Sequence, residues 1–330
     1  MKMSANCAGA SKKILEATTQ YAVDRKQFGR PIADFGLIQR KLADMAARTY
    51  ATESVAYRTA GLVYAATEAS HTHNGNSLDR KLKMLAEFSI ECAMAKVIGS
   101  ETYNGVADDA LQVYGGNGYS EEYPAARWYR DSRITRIYEG TSEICRLSIA
   151  KTLLKRADRG QLGLREAVAA LAQPTDQPRG DDLSALRTHA GLLKEVFLYV
   201  LGEIWNAVDD EELLTPSNQQ LLGSLADIAI EAYLTESTVL RVSKLAASNP
   251  SCDLSFETAL ARLTCFRSAD RVRQESTEVL SAILEPSQLS SALDRVSRSL
   301  PKPTGLIASR ALVARDLTTR NRSLSWPAAR

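Results

Sequence analysis

One carboxylate in this sequence stands where a base could work. Glu139 lies in Ile-Tyr-Glu-Gly-Thr, residues 137–141, between Tyr138 and Gly140. A glutamate becomes a useful base for a carbon-bound proton when an apolar cleft desolvates it and raises its pKa. Gly140 would let a substrate approach closely. The same pattern also describes an exposed acid at a helix start. A second segment, Asp24-Arg-Lys-Gln-Phe-Gly, offers Arg25 with Gln27 and Phe28 beside it. A guanidinium can fork onto a pyrophosphate, and it can equally offset the dipole at a helix C-terminus. In a third segment, Gln112-Val113-Tyr114-Gly115-Gly116-Asn117-Gly118, the glycines would let backbone N–H groups approach a phosphate or ribose. A plain helix stop is the alternative there. Thr141 and Ser142 are good N-caps, and Glu143 follows them. His71 and His73 have no third ligand nearby and read as a polar loop rather than a metal site. Cys145 reads as a buried small hydrophobe rather than a redox thiol.

Helices must position these residues. The pattern predicts a helix over 3–24, stopped by Gly29 and Pro31. Asp34 is the expected N-cap of a second helix to about Thr67, with Ile38, Leu42 and Met45 along one face. A polar loop at 71–76 leads to a long helix from Asp79 to Tyr114, whose Ala93, Ala95 and Gly99 would permit close helix contact. Gly115–Gly118 should break it. A short helix over Glu122–Asp131 and another from Thr141 or Ser142 to Lys155 follow. Four long helices with short loops make an all-α, up-down bundle over 1–157. Residues 158–180, with Gly160, Gly163, Pro174, Pro178 and Gly180, read as a linker containing one helical stretch at 164–172. Residues 181–330 read as a second helical domain. Its stripe Leu193, Val196, Phe197, Val200, Leu201, Ile204, Trp205 and Val208 favours a core or subunit-contact face over a membrane-surface helix. Thr215-Pro216 should start the next helix, and a third runs from Leu254 to Leu284, before Pro286.

Composition excludes other classes. Of 330 residues, 45% are apolar, 24% charged and only 6% aromatic, with a net charge of +2. That bias favours helix, and no basic block invites nucleic acid. Five scattered cysteines without a C-x-x-C pair argue against disulfides and metal, and for a reducing, cytoplasmic setting. No apolar run spans a bilayer, and no signal-peptide core or transit peptide is evident. Residues 301–330 carry six Lys/Arg and one Asp, so peripheral membrane contact is a secondary expectation.

Taken together, the Arg-x-Gln-Phe-Gly, Gln-x-x-Gly-Gly-x-Gly-Tyr and Ile-Tyr-Glu-Gly-Thr boxes resemble the C-terminal helical domain of the acyl-CoA dehydrogenases over residues 1–157. The helical extension resembles that of the very-long-chain branch. The resemblance implies FAD as cofactor and α,β-dehydrogenation of fatty acyl-CoA thioesters, as in fatty-acid β-oxidation. It implies Glu139 as the α-proton base and Gly140 at the substrate. Arg25, Gln27 and Phe28 would reach the pyrophosphate of a flavin held mostly by a neighbouring subunit. Gln112, Val113, Tyr114, Gly115 and Gly116 would meet its adenosine side, and Thr141, Ser142 and Glu143 would add further flavin contacts. The implied partners are acyl-CoA, at least one further copy of the chain, and electron-transfer flavoprotein as acceptor. Family members also begin with a helical and a β domain that are missing from this sequence. An N-terminal complement and weak flavin retention by the chain alone are therefore expected. Two other readings remain: a non-enzymatic helical fragment that assembles with a longer partner, and an acyl-CoA oxidase-like flavoprotein.

Overall fold

The computed structural model describes residues 1–70, 86–171, 183–302 and 304–320. Among them the chain is all-α apart from one two-stranded ribbon. The helices are α1 (Lys2–Asp24), α2 (Gly36–Ser70), α3 (Ser89–Tyr114), α4 (Gly116–Tyr119), α5 (Pro124–Ile134), α6 (Ser142–Asp158) and α7 (Leu164–Ala169). The extension adds α8 (Leu183–Ala207), α9 (Asp210–Leu213), α10 (Gln219–Ser248), α11 (Ser255–Ile283), α12 (Pro286–Ser299) and α13 (Leu306–Arg320). No described helix is long and apolar enough to cross a membrane.

In the bundle α3 packs against α1, α2, α5 and α6. Gly99 makes the α1–α3 contact possible, because a Cβ there would stand 2.8 Å from the Ser4 Cα. Two apolar cores hold the chain together, and each draws on both the bundle and the extension. One joins Val55, Ile98 and Ile149 to Leu193, Ile204, Leu225 and Val272. The other joins Leu15, Leu42, Tyr50 and Val106 to Val242, Leu260 and Val313. The Leu193–Ile204 stripe of α8 is therefore core, with Trp205 and Val208 half-buried against it. At about 1.5–3 kcal/mol for each fully buried large aliphatic side chain, this shared packing ties the extension firmly to the bundle.

Several boundaries differ from the sequence reading. Asp34 is not an N-cap. It closes a 3-10 turn, Ile32–Asp34, and the Phe35 carbonyl accepts the first bonds of α2 from Ile38 and Gln39. The predicted start at Asp79 and the loop with His71 and His73 lie outside the described residues. A turn at Phe88 precedes α3. Gly115, at φ 61, does end α3, but Gly116–Tyr119 then form one further helical turn instead of a loop. The short helix begins at Pro124, the favoured first position for proline, and runs on to Ile134. Pro216 opens a 3-10 turn, Pro216–Asn218, that leads into α10.

Candidate active site

The two segments around Arg25 and Gly115 are some ninety positions apart in sequence, yet they line one open groove. Arg25, Gln27, Phe28, Val113, Tyr114, Gly115 and Gly116 all face this space of about 690 Å³. On one side, α1 ends at Asp24 and the chain turns back as the ribbon Lys26–Gln27 with Arg30–Pro31. Its two turn residues, Phe28 and Gly29, have φ values of 52° and 83°. Positive φ at both positions matches the right-handed twist of paired strands, and it leaves the Phe28 side chain 89% exposed at the groove. On the other side α3 stops at Gly115. A Cβ added to Gly115 or Gly116 would meet nothing within 4 Å, so a ligand can come close to both backbones.

Aromatic packing fixes the two sides. Tyr21 and Tyr114 stack with centroids 4.0 Å apart, and the Tyr21 hydroxyl accepts from Asn117 Nδ2 at 2.9 Å. Burial pushes the Tyr114 hydroxyl up from its ordinary pKa, with Tyr21 adding to the effect. Sequence reasoning missed Tyr21, Leu37, Ile38 and Asn117, which also line the groove. Tyr21 precedes Arg25 by one helical turn, and that spacing was the available signal. Gln112 is exposed at the end of α3 and does not line the groove.

The second group of residues, Glu139 to Glu143, forms the hinge between α5 and α6. Glu139 has φ 54° and Gly140 φ 93°. An L-residue at such a φ costs about 1–2 kcal/mol. Local anchors hold it there. Buried Lys96 donates from Nζ to the Gly140 carbonyl at 2.6 Å. The Ser142 N–H donates to the Arg136 carbonyl at 3.0 Å. Thr141 is the N-cap of α6, its hydroxyl accepting from the Ile144 N–H at 3.3 Å. Glu143 is held below the usual carboxylate range by its own backbone N–H and then by the Thr141 hydroxyl. Lys96 was another residue the sequence reading did not single out; a lysine inside the apolar stretch Ile90–Ile98 was the signal.

Three expectations change here. Glu139 was expected in an apolar cleft, but its side chain is exposed in this chain. Ser142 is buried, and its hydroxyl has no hydrogen-bond partner. Cys145 is half-buried rather than buried. Burial raises its thiol pKa, and its Sγ lies 3.8 Å from the Gly140 carbonyl oxygen. Among the described residues no cluster of three His, Cys, Asp or Glu side chains could hold a metal.

A helical bundle with a glycine-lined cationic groove and a strained glutamate hinge has clear relatives. Residues 1–154 match the family described as acyl-CoA dehydrogenase, C-terminal domain, and residues 192–298 match a second family of the same description. A probable acyl-CoA dehydrogenase of Bacillus subtilis (strain 168) is 34% identical over 91% of this chain and 52% of its own length. The mitochondrial very long-chain specific acyl-CoA dehydrogenase of Homo sapiens is 31% identical over 94% of this chain and 47% of its own. The crystal structure of an acyl-CoA dehydrogenase complexed with FAD from Bacillus anthracis matches with a TM-score of 0.88 at 32% identity. It covers 98% of this chain and 55% of that one. The chain belongs to the acyl-CoA dehydrogenase C-terminal domain families. It spans about half the length of the curated relatives it matches.

Proposed function

We propose that this chain carries the proton-abstracting part of a flavin-dependent acyl-CoA dehydrogenase, with Glu139 as the base. The observation that carries the reading is the hinge. Two successive positive φ values, held by Lys96 and by the cap of α6, present a carboxylate at the surface. Backbone strain of about 1–3 kcal/mol persists where the surroundings over-determine it, and functional sites are where it collects. In this reading Glu139 removes the proton from the α carbon of the thioester. The electron pair left behind forms the α,β double bond as hydride leaves the β carbon. The neighbouring Gly140, without a side chain, leaves room for the acyl chain. Glu139 is exposed in the chain alone, so in this reading a further domain or subunit supplies its apolar cover.

The groove residues fit FAD. Arg25 supplies a cation for a pyrophosphate, Gln27 supplies amide donors, and the open backbones of Gly115 and Gly116 suit close contact with a phosphate or ribose. When bound, FAD supplies the hydride acceptor. Phe28 and Leu37, 89% and 76% exposed at this groove, offer apolar surface to a second subunit that would carry the remaining flavin contacts.

The test combines this chain with the N-terminal half of the Bacillus subtilis relative and follows loss of the oxidised-flavin absorbance on adding a fatty acyl-CoA. Bleaching with the wild-type chain and at least a thousandfold slower bleaching with Glu139→Gln, flavin content being equal, are expected. Equal rates for the two chains would sink the base assignment. Normal bleaching by a variant lacking Arg25 and with unchanged flavin affinity would sink the groove assignment.

A further inference from the structure

We infer that Lys96 is a positioning residue for proton abstraction: from inside the bundle it grips the Gly140 carbonyl, and that grip keeps the Glu139 carboxylate aimed out of the hinge. The inference rests on the reading of Glu139 as the base. Lys96 lies in an apolar stretch of α3, between Ala95 and Val97, and is only 6% exposed. Its Nζ donates to the Gly140 carbonyl at 2.6 Å, and among the described residues it makes no other hydrogen bond and no ion pair. Two thiols lie close by. Burial pushes Cys7 and Cys145 up, and the nearby Lys96 charge works against that rise in each.

A hydrocarbon side chain of similar length would fill this place without desolvating a charge. What lysine adds is one short, charge-assisted bond, roughly twice as strong as a neutral one. That bond falls on the loop that presents the base. The Ser142 N–H, donating to the Arg136 carbonyl at 3.0 Å, closes residues 137–141, and Glu139 sits in the middle of them. α3 holds both ends of this loop. Lys96 takes the Gly140 carbonyl, while Glu101 and Asn104 engage the Arg136 guanidinium at 3.7 and 3.5 Å. The Cys145 thiol adds only a weak contact to the Gly140 carbonyl, at 3.8 Å. The Lys96 bond is therefore the main hold on the positive-φ pair itself.

An L-residue at φ 54° is strained, and relaxation would turn the peptide planes beside Glu139 and swing its side chain away. The hinge thus has two states, a strained one that Lys96 selects and a relaxed one. In this account only the strained state delivers the carboxylate to the α carbon, so loss of the grip lowers the working fraction of the enzyme. The chemical step slows accordingly, because a small misplacement of a reacting group costs rate steeply. Substrate affinity, which does not depend on where the carboxylate points, changes little.

The first measurement uses this chain by itself, in a double-mutant cycle of Lys96→Met and Glu139→Gly read by urea unfolding. In the wild-type background glycine relieves the strain and stabilises the chain. In the Lys96→Met background the hinge has already relaxed, so that gain should shrink by about half or more. A lysine that merely filled the core would give equal gains in both backgrounds. The second measurement uses the chain combined with the N-terminal half of the Bacillus subtilis relative. Lys96→Met should slow flavin bleaching at saturating fatty acyl-CoA by about tenfold or more and shift the half-saturating concentration by less than about threefold. If Lys96→Met does not fold, Lys96→Gln serves for both measurements. Equal gains in the cycle, or an unchanged bleaching rate where Glu139→Gln abolishes bleaching, would overturn the inference. Normal bleaching with Glu139→Gln would sink the base assignment and with it the catalytic role of Lys96, whereas the cycle would still report the grip.

Discussion

Arg146→Met tests how the extension is tied to the bundle most directly. Arg146 sits on the first turns of α6, in the segment that follows the glutamate hinge. Its Nη1 and Nη2 donate to Glu101 at 2.8 and 3.1 Å, and its Nε donates to Asp227 at 2.8 Å. One side chain thus joins α6 to α3 and to α10. The Arg146 side chain is only 14% exposed, Asp227 11% and Glu101 33%. Burial works against the Arg146 charge, and the fork onto Glu101 with Asp227 more than offsets it, raising the guanidinium pKa above its ordinary value. The Glu101 pair is partly solvated, so it contributes about 1 kcal/mol or less. The Asp227 bond is worth about 1.5–3 kcal/mol, and its loss leaves a desolvated carboxylate supported only by Arg271. Met fills most of the stem volume. The expected loss is therefore about 3 kcal/mol, read from the urea midpoint by circular dichroism. Adding Asp227→Asn to Arg146→Met removes the stranded charge and should recover about 1 kcal/mol, although Asp227→Asn alone destabilises. A loss below about 1 kcal/mol, or strictly additive variants, would refute the reasoning.

Four other outcomes follow. Glu139→Gly should raise the unfolding free energy measured in urea by about 1 kcal/mol, because glycine accepts φ 54° without strain; unchanged or lower stability would remove strain from the argument. Thr141→Ala should cost about 1 kcal/mol through loss of the α6 cap, with Thr141→Ser close to wild type in the same assay. Burial depresses the pKa of His189, which packs near Phe266, so the folded state favours the neutral ring. Its contribution is full above the unfolded value of about 6.5 and is lost as pH falls through the folded value. Stability measured from pH 7.5 down to 5 should decline, and His189→Leu should flatten that slope. Among the thiols, burial pushes Cys7 to about 11 and Cys265 to about 12, whereas Cys252 is exposed. Iodoacetamide at pH 8 followed by peptide mass spectrometry should label Cys252 first and Cys265 last.

The shared cores give a physical reason why the extension and the bundle should unfold together. Val55 and Ile98 from the bundle contact the cluster that contains Leu193 and Val272, while Leu186 and Val313 enter the cluster around Leu42 and Tyr50. Neither region buries its apolar face without the other. Far-ultraviolet dichroism and tryptophan fluorescence should therefore report one urea transition; two separated transitions would contradict this packing.

By itself, the sequence determined the helical class, the order of the long helices, the stop at Gly115, and the cap at Thr141. These depend on short-range chemistry: apolar spacing, glycine freedom and side-chain bonds to nearby backbone. The first helix stops earlier than Gly29, at Asp24, and Gly29 serves the ribbon turn instead. It also marked Glu139 and Arg25 through their local boxes. Only the tertiary structure brought the Arg25 turn and the Gly115 turn into one groove, because the Tyr21–Tyr114 stack that joins them links residues far apart in the chain. Only it assigned buried Lys96 to the Gly140 carbonyl. Even the Asp34 cap failed for a long-range reason, since Ile32 and Ala33 are buried in the second core and pull that stretch into a 3-10 turn before α2 can begin. The partnership of a buried charge depends on which helices meet, and that is decided by the packing of whole apolar faces, beyond the reach of any local motif.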